Sequence, residues 1–180
     1  KKYLKKKRSV LPIVDSHGVT RIANIINGLN NNSFYLRKAK LKDIFFLYFL
    51  KNDPINRKSA FNQNYVTLTN HIKWFKTKSS QKNFLIFIFK NKENYIGQVS
   101  FKFLNINTCK IDYAISNEFR GNGYSKIMLQ KAFRYIKKKI VIAEVKKNNI
   151  ASKRIFNFFK FHLVNKNKNR LLFKKTILND

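Results

Sequence analysis

The chain has 180 residues, 44% of them hydrophobic, and carries a formal net charge of +31 at pH 7. This length supports one well-cored domain and is too short for two large ones. A single cysteine, Cys109, excludes an internal disulfide and a cysteine metal cluster, so we expect a cytoplasmic protein without a bound metal.

The first 32 residues are expected to form a basic extension outside the main domain. They begin with KKYLKKKR, and Asp15 and Ser16 can then cap a short helix. This segment lacks the apolar core of a secretory signal, and no apolar run in the chain is long enough to span a bilayer. We therefore predict an extension over residues 1–32, one domain over residues 33–180, and no membrane partner.

The positive charge is compatible with several kinds of partner. Nucleic acid, an anionic membrane surface and phosphate-bearing small ligands would all be attracted to it. Lysine and asparagine are spread through every segment, however, so the charge is also compatible with a solvated surface of biased composition. In either case a strongly cationic enzyme favours anionic substrates over cationic ones.

Alternating and helical apolar periodicities divide the domain into strands and helices. Proline at position 54 should end the first helix, because it removes a backbone donor and disfavours helix in the residue before it. In chain order we predict a strand at 34–37, helices at 42–50 and around 68–75, strands at 84–89, 95–103 and 111–116, a helix from about 124 to 136, a strand at 140–145, a helix ending near 161, and closing strands at 161–164 and 171–173.

The most informative stretch runs from Ile111 to Phe133. An alternating strand leads into a turn at residues 120–125, and an amphipathic helix follows directly. Glycines such as Gly121 and Gly123 let the backbone approach a ligand, and the first amides of a helix have no intrahelical partner. This order of parts predicts an anion site at the turn, with a glycine-rich turn that binds nothing as the alternative.

The turn resembles motif A of the GNAT superfamily of N-acetyltransferases, Q/R-x-x-G-x-G/A. Arg120 fills its first position and Gly123 its fourth, while Ser125 stands where the family prefers glycine or alanine. A small residue is thus kept at the last position, and coenzyme A binding is expected to survive.

Residues 143–161 resemble motif B of the same superfamily, N-x-x-S/A followed by an aromatic residue and G-F. Asn149 and Ser152 match its first positions, whereas Lys160 replaces the glycine before the last phenylalanine. Phe156 stands where many relatives carry a tyrosine that protonates the departing thiolate. The source of that proton is therefore an open question for this chain.

The resemblance implies an α+β fold with a mixed, mostly antiparallel central sheet, helices on both faces, and a splayed strand pair that holds coenzyme A. It implies acetyl-CoA as co-substrate and direct attack of an amine on the thioester, with a backbone amide near Ile115 polarising the carbonyl. The residues to which the resemblance assigns cofactor contacts are Ile115, Arg120, Gly121, Asn122, Gly123, Tyr124, Ser125 and Asn149.

Residues 43–99 narrow the resemblance to the sugar N-acetyltransferases of pseudaminic acid biosynthesis. These enzymes acetylate the 4-amino group of a UDP-linked 4-amino-4,6-dideoxy sugar, and residues 14–26 resemble the end of the UDP-sugar hydrolase of the same pathway. The acceptor contacts that this resemblance implies are Arg57, His71, Trp74, Gln98 and Tyr113. The alternative for Arg57 is an exposed surface arginine, and the alternative for His71 is a packed histidine at the helix edge.

Three side chains are candidates for the base that accepts a proton from the amine. Glu144 comes first, because desolvation in an apolar strand favours a raised pKa; a carboxylate tied to a neighbouring lysine is the alternative. His71 comes second and Asp112 third. For the thiolate proton the candidates are Ser152, a tyrosine such as Tyr113 or Tyr124, and water.

Three functions therefore stay open. The first is N-acetylation of a UDP-linked amino sugar, and the second is acetylation of a protein N-terminus or another small amine. The third is a basic nucleic-acid-binding module, although no segment matches a known reader motif and no specific nucleic acid is expected. Edge strands near the C-terminus make a homodimer an open possibility.

Overall fold

The computed structural model describes residues 33–136 and 139–178, and the predicted N-terminal extension lies outside them. No helix within these two ranges combines the length and apolarity needed to cross a membrane. The helices and strands are β1 (Tyr35–Lys38), α1 (Ile44–Asn52), α2 (Pro54–Ser59), α3 (Leu68–Ser80), β2 (Phe84–Lys90), β3 (Tyr95–Phe103), β4 (Thr108–Ile115), α4 (Tyr124–Phe133), β5 (Lys139–Lys146), α5 (Ile150–Phe158), β6 (His162–Lys166) and β7 (Arg170–Ile177).

The strands form one sheet in the order β1-β2-β3-β4-β5-β7-β6. Short turns join β2 to β3 and β3 to β4, and these neighbours pair antiparallel. Among the described strands, only β4 and β5 pair parallel, since the helix α4 between them carries the chain back across the sheet. The sheet is thus mixed and mostly antiparallel, which confirms the α+β fold predicted from the sequence.

Helices cover both faces of this sheet. On one face, α1 and α3 pack against β2 through a small cluster that includes Leu47, Phe75 and Ile88. On the other face, α4 and α5 pack on the larger core, where Met128 and Phe156 are buried. Because β2 is covered on both sides, it is a continuous apolar run rather than an alternating one.

The pairing of β4 with β5 stops before either strand ends. It runs from Thr108 opposite Ile140 to Ile111 opposite Ala143, whereas β4 continues to Ile115. Beyond that point, β4 stays paired with β3 and β5 stays paired with β7. Each strand is thus held by its outer neighbour, and a gap opens between the carboxyl ends of β4 and β5.

Two local details differ from the sequence prediction. Pro54 does not simply end α1 but begins α2, because the first position of a helix needs no backbone donor, and Asp53 caps that helix by accepting from the Asn56 amide at 2.8 Å. Strand β4 begins at Thr108, three residues before the predicted start at residue 111, so Cys109 lies buried within the strand. Burial raises the pKa of its thiol to about 11, which keeps it protonated.

Candidate active site

The gap between β4 and β5 has a different residue on each face of the sheet. Asp112 is the first residue of β4 beyond the last pair with β5, and Tyr113 follows it. Successive strand residues point to opposite faces, so Asp112 lies on the α1 and α3 side and Tyr113 on the α4 and α5 side. The two side chains therefore border the gap from opposite directions.

Asp112 is a carboxylate with a raised proton affinity. The Gln98 amide donates to its Oδ2 at 3.3 Å, and solvent reaches the side chain from the open face of the sheet. Surrounding protein atoms nevertheless displace part of its water, and this raises the pKa of Asp112 against the opposing effects of Lys51 and Gln98. Such a group suits proton acceptance near neutral pH better than an ordinary surface aspartate does.

Tyr113 supplies a hydroxyl on the other side of the gap. Its Oη lies 3.2 Å from the Ser152 Oγ, and its ring meets the edge of Phe156 at a centroid distance of 6.0 Å. Burial raises the pKa of Tyr113 to about 12, so the phenol keeps its proton at neutral pH. Ser152 is positioned by Asn149, which is the N-cap of α5 and accepts from the Ser152 amide at 3.0 Å.

The backbone of Ile115 also faces the gap. The next amide, that of Ser116, donates to the Ile96 carbonyl of β3 at 2.8 Å. Alternate amides of a strand point to the same neighbour, so the Ile115 amide points the other way, toward β5. Pairing with β5 has already ended at Ile111, which leaves this donor directed into the gap.

The turn that follows is open on its outer side. Gly121 and Gly123 both have a φ of +79°, a left-handed conformation that favours glycine. A Cβ atom placed on either residue would meet nothing within 4 Å, so there is room for a ligand beside the backbone. Gly123 is also the N-cap of α4, whose first amides lack helical partners. Free donors beside open space fit the diphosphate of coenzyme A.

Residues 120–125 contribute in different ways. The side chain of Tyr124 is buried against Phe34 at a centroid distance of 5.4 Å, so only its backbone is offered to a ligand. Asn122 and Ser125 are half-buried in the turn. Because the predicted contacts of this turn use backbone amides, a serine in place of glycine or alanine is compatible with them.

The Arg120 side chain stabilises the turn through contacts with other residues of the protein. Its Nε donates to the Ile115 carbonyl at 3.1 Å, its Nη1 donates to Asn117 at 3.0 Å, and its Nη2 pairs with Asp53. Burial would raise the pKa of Asp53, but the Asn56 amide and the Arg120 guanidinium hold it below its usual value. The Arg120 side chain thus links the turn to the start of α2, and all three of its nitrogens are engaged within the protein.

Glu144 is not a free carboxylate. It lies on the same face of the sheet as Asp112, but its Oε2 is 2.8 Å from the Lys110 Nζ and 3.0 Å from Arg170 Nη1. Both cations thus contact the same carboxylate oxygen. This arrangement matches the second interpretation of Glu144, a carboxylate tied to neighbouring basic residues.

His71 and Trp74 form an aromatic cluster on α3. The His71 ring is only 3% exposed and lies between Tyr48, at 5.8 Å, and Trp74, at 5.2 Å. Burial, helped by the charge of Lys51, lowers the pKa of His71, so the ring is neutral at pH 7. Its Nε2 is buried, and no described residue forms a hydrogen bond with it. The ring is covered rather than presented to the gap.

Arg57 lies on α2, beside the loop that precedes α3. Its Nε donates to the Gln63 carbonyl at 2.9 Å, and its guanidinium lies 5.7 Å from the centre of the Tyr65 ring. The structure therefore brings Gln98, Asp112, Tyr113, Ile115 and Ser152 to the gap, whereas Arg57 lies on α2, and His71 and Trp74 lie on α3.

Two cations near the gap could not be predicted from the sequence. The charge of Lys51, on α1, acts on both His71 and Asp112, and Lys110 lies on β4 within reach of Glu144. In a chain with 39 lysines and arginines, neither residue stands out until the fold places it beside a carboxylate.

The geometry agrees with comparisons to known proteins. Residues 33–162 match the acetyltransferase (GNAT) domain family. No protein of curated function matches the chain in sequence.

Solved structures of the same fold include three with the following similarities. A domain from Methanocaldococcus jannaschii shares 21% identity at a TM-score of 0.68, over 80% of this chain and 98% of that one. The Vibrio cholerae spermidine N-acetyltransferase in complex with CoA and spermine shares 15% identity at a TM-score of 0.71, over 79% of this chain and 94% of that one. An N-acetyltransferase from Staphylococcus aureus Mu50 shares 19% identity at a TM-score of 0.66, over 79% of this chain and 98% of that one. At these identities the likeness establishes the fold.

Proposed function

This chain belongs to the GNAT acetyltransferase family, and from that premise we propose that it acetylates the amine of a nucleotide-linked amino sugar. The family makes it an acetyl-CoA-dependent acyltransferase. Our specific proposal for the acceptor is a UDP-linked 4-amino-4,6-dideoxy sugar of pseudaminic or related nonulosonic acid biosynthesis.

The proposed mechanism rests on the placement of Asp112 and Tyr113 on opposite faces of β4. Acetyl-CoA supplies an activated acetyl thioester, which the gap would hold between the two side chains. A neutral amine entering from the α1 and α3 side meets Asp112, which accepts its proton as the C–N bond forms. The Ile115 amide donates to the carbonyl oxygen and stabilises the charge that develops there.

The leaving group departs on the side of Tyr113. As the C–S bond breaks, the phenol gives its proton to the sulfur, and Ser152 donates to the phenolate that is left. Exchange with water returns the Asp112 proton to solvent and restores the phenol. This assignment supplies the hydroxyl that Phe156 lacks, because Tyr113 provides it from β4 instead of from α5.

The charges around the gap support an anionic acceptor. Lys51, Lys110 and Arg170 lie on the Asp112 side, and the chain as a whole carries a net charge of +31. A cationic polyamine would be repelled on approach, whereas a nucleotide diphosphate would be attracted. Electrostatic complementarity of this kind mainly sets the rate of encounter and the choice of partner.

The acceptor assignment is tested by measuring coenzyme A release at fixed moderate salt. We expect kcat/KM for the UDP-4-amino-4,6-dideoxy sugar to exceed the values for spermine and for a ribosomal-protein peptide by about a hundredfold or more. The preference for the sugar should shrink as ionic strength rises, because salt screens the attraction. Faster turnover of spermine or of the peptide would reject the sugar and leave the family membership unaffected.

The role of Tyr113 is tested by replacing it with phenylalanine. Loss of the acid should lower kcat by about tenfold, since a coenzyme A thiolate is a tolerable leaving group without help. The dissociation constant for acetyl-CoA, measured by calorimetry, should not change. Tyr135→Phe, which removes a hydroxyl from an exposed ring, is the matched control. An unchanged kcat in Tyr113→Phe would exclude the phenol as the proton donor.

A further inference from the structure

A second concave site lies beside the gap. It is a cavity of about 570 Å³ between the loop that follows α2 and the turns that follow β5 and β6, and the Lys147 amide joins those two turns by donating to the Asn169 carbonyl at 3.1 Å. We call it the lysine cavity. Its lining includes Phe61, Gln63, Lys146, Lys147, Asn148 and Lys168.

Among residues 33–136 and 139–178, only positive and neutral side chains line the lysine cavity. No aspartate or glutamate of these residues lines it, and neither Lys147 nor Lys168 forms a salt bridge with them. Lys146 donates to the Lys58 carbonyl at 2.9 Å, a contact that leaves its charge unneutralised. Three like charges around one cavity repel each other, and an anion bound among them would relieve that repulsion.

The cavity lies on the same face of the sheet as the acceptor side of the gap. Lys146 lies two residues after Glu144 on β5, so both side chains point to the same face and are separated by about 7 Å along the strand. Arg170 bridges the two regions, because it pairs with Glu144 and its guanidinium also lies 4.5 Å from the centre of the Phe61 ring. A ligand could therefore extend from the Asp112 side into the cavity.

The remaining lining suits a nucleotide rather than a bare anion. Phe61 is 42% exposed, which leaves aromatic surface available for a planar base, and side-chain amides of Gln63 and Asn148 offer both donors and acceptors. Lysine ammonium groups bind phosphate oxygens as mobile point charges. Base-stacking and phosphate-binding groups thus occur together in one cavity.

We infer that the lysine cavity binds the nucleoside diphosphate of the acceptor, with Lys147 and Lys168 holding the phosphates and Phe61 contacting the base. This inference rests on the proposed nucleotide-sugar acceptor. It divides the acceptor between two places: the amine at Asp112, and the diphosphate at the ends of β5 and β6. It also accounts for a cluster of cations that the chemistry at the gap does not use.

The test is a calorimetric titration of the full chain with UDP, with coenzyme A present at saturation so that its own diphosphate site is filled. Replacing both lysines, in Lys147→Gln/Lys168→Gln, should raise the dissociation constant of UDP by about tenfold or more. The control Lys76→Gln/Lys92→Gln removes the same charge from exposed positions on α3 and on the turn after β2. It should change the constant by less than about twofold.

Four outcomes separate the possibilities. A loss of UDP affinity confined to the cavity variant supports the inference, and it does so even if the amino sugar is not acetylated, in which case only the acceptor assignment fails. An equal loss in the control would show a general effect of surface charge and overturn the inference. Unchanged UDP affinity in the cavity variant, or no UDP binding to the original chain, would also overturn it, whatever the acetylation assay shows.

Discussion

Replacing Asp112 with asparagine should lower kcat by about a hundredfold to ten-thousandfold, the range expected when a positioned general base is lost. The variant keeps the size of the side chain and its position beside Gln98, so the melting temperature should change little. Calorimetry should show unchanged affinity for acetyl-CoA, because Asp112 lies on the acceptor side of the gap. Steady-state kinetics of coenzyme A release measures the effect.

The pH profile separates a catalytic loss from a structural one. A base works only when deprotonated, so kcat/KM of the original chain should fall as pH decreases through the raised pKa of Asp112. Asp112→Asn should lack this acidic limb, whereas the limb that reports deprotonation of the acceptor amine should remain in both proteins.

Glu144→Gln is the matched control for this prediction. It removes a carboxylate from the same face of the neighbouring strand, but one that Lys110 and Arg170 already neutralise. We expect kcat to fall by less than about tenfold. The opposite ranking, with Glu144→Gln severely impaired and Asp112→Asn nearly unaffected, would place the base on β5 and contradict our assignment.

Gly97→Ala should both destabilise the fold and disturb the site. A Cβ atom on Gly97 would lie 2.5 Å from the Ala114 carbonyl oxygen and 2.8 Å from the Ile115 side chain. The backbone oxygen cannot move aside unless β3 separates from β4, because Gly97 is directly paired with Ile115. Overpacking of this kind should cost about 3 kcal/mol of unfolding free energy, or roughly 10 °C in melting temperature.

The same substitution should reduce turnover more than its effect on stability explains. The displaced segment carries the Ile115 amide, and a shift of about 1 Å in a positioning group can cost on the order of a hundredfold in rate. Activity is compared well below the melting temperature, beside Lys102→Ala, which alters an exposed side chain of the same strand. If Gly97→Ala melts and turns over like Lys102→Ala, β3 and β4 have more freedom than the register suggests.

The sequence by itself determined the order of strands and helices, apart from α2, and the turn that precedes α4. These features depend on local patterns: alternating residues in β4, helical spacing in α4, and the glycines at 121 and 123, which take a left-handed conformation. Each of these signals lies within about a dozen neighbouring residues. The match of residues 33–162 to the acetyltransferase (GNAT) domain confirms the superfamily that they indicated.

Only the tertiary structure decided which functional groups are free. Glu144 and Asp112 are both carboxylates on strands, yet Lys110 and Arg170 surround the first while Gln98 contacts the second. The Tyr113 hydroxyl meets Ser152 across 39 positions of sequence.

Arg120 and His71 show the same dependence on the fold. Arg120 matches a cofactor motif in sequence, but its side chain is occupied by Asp53, 67 positions away. His71 is enclosed by a tyrosine from a different helix. The physical reason is that proton affinity and accessibility are set by neighbours in space, and those neighbours follow from strand register and helix packing between segments far apart in the chain.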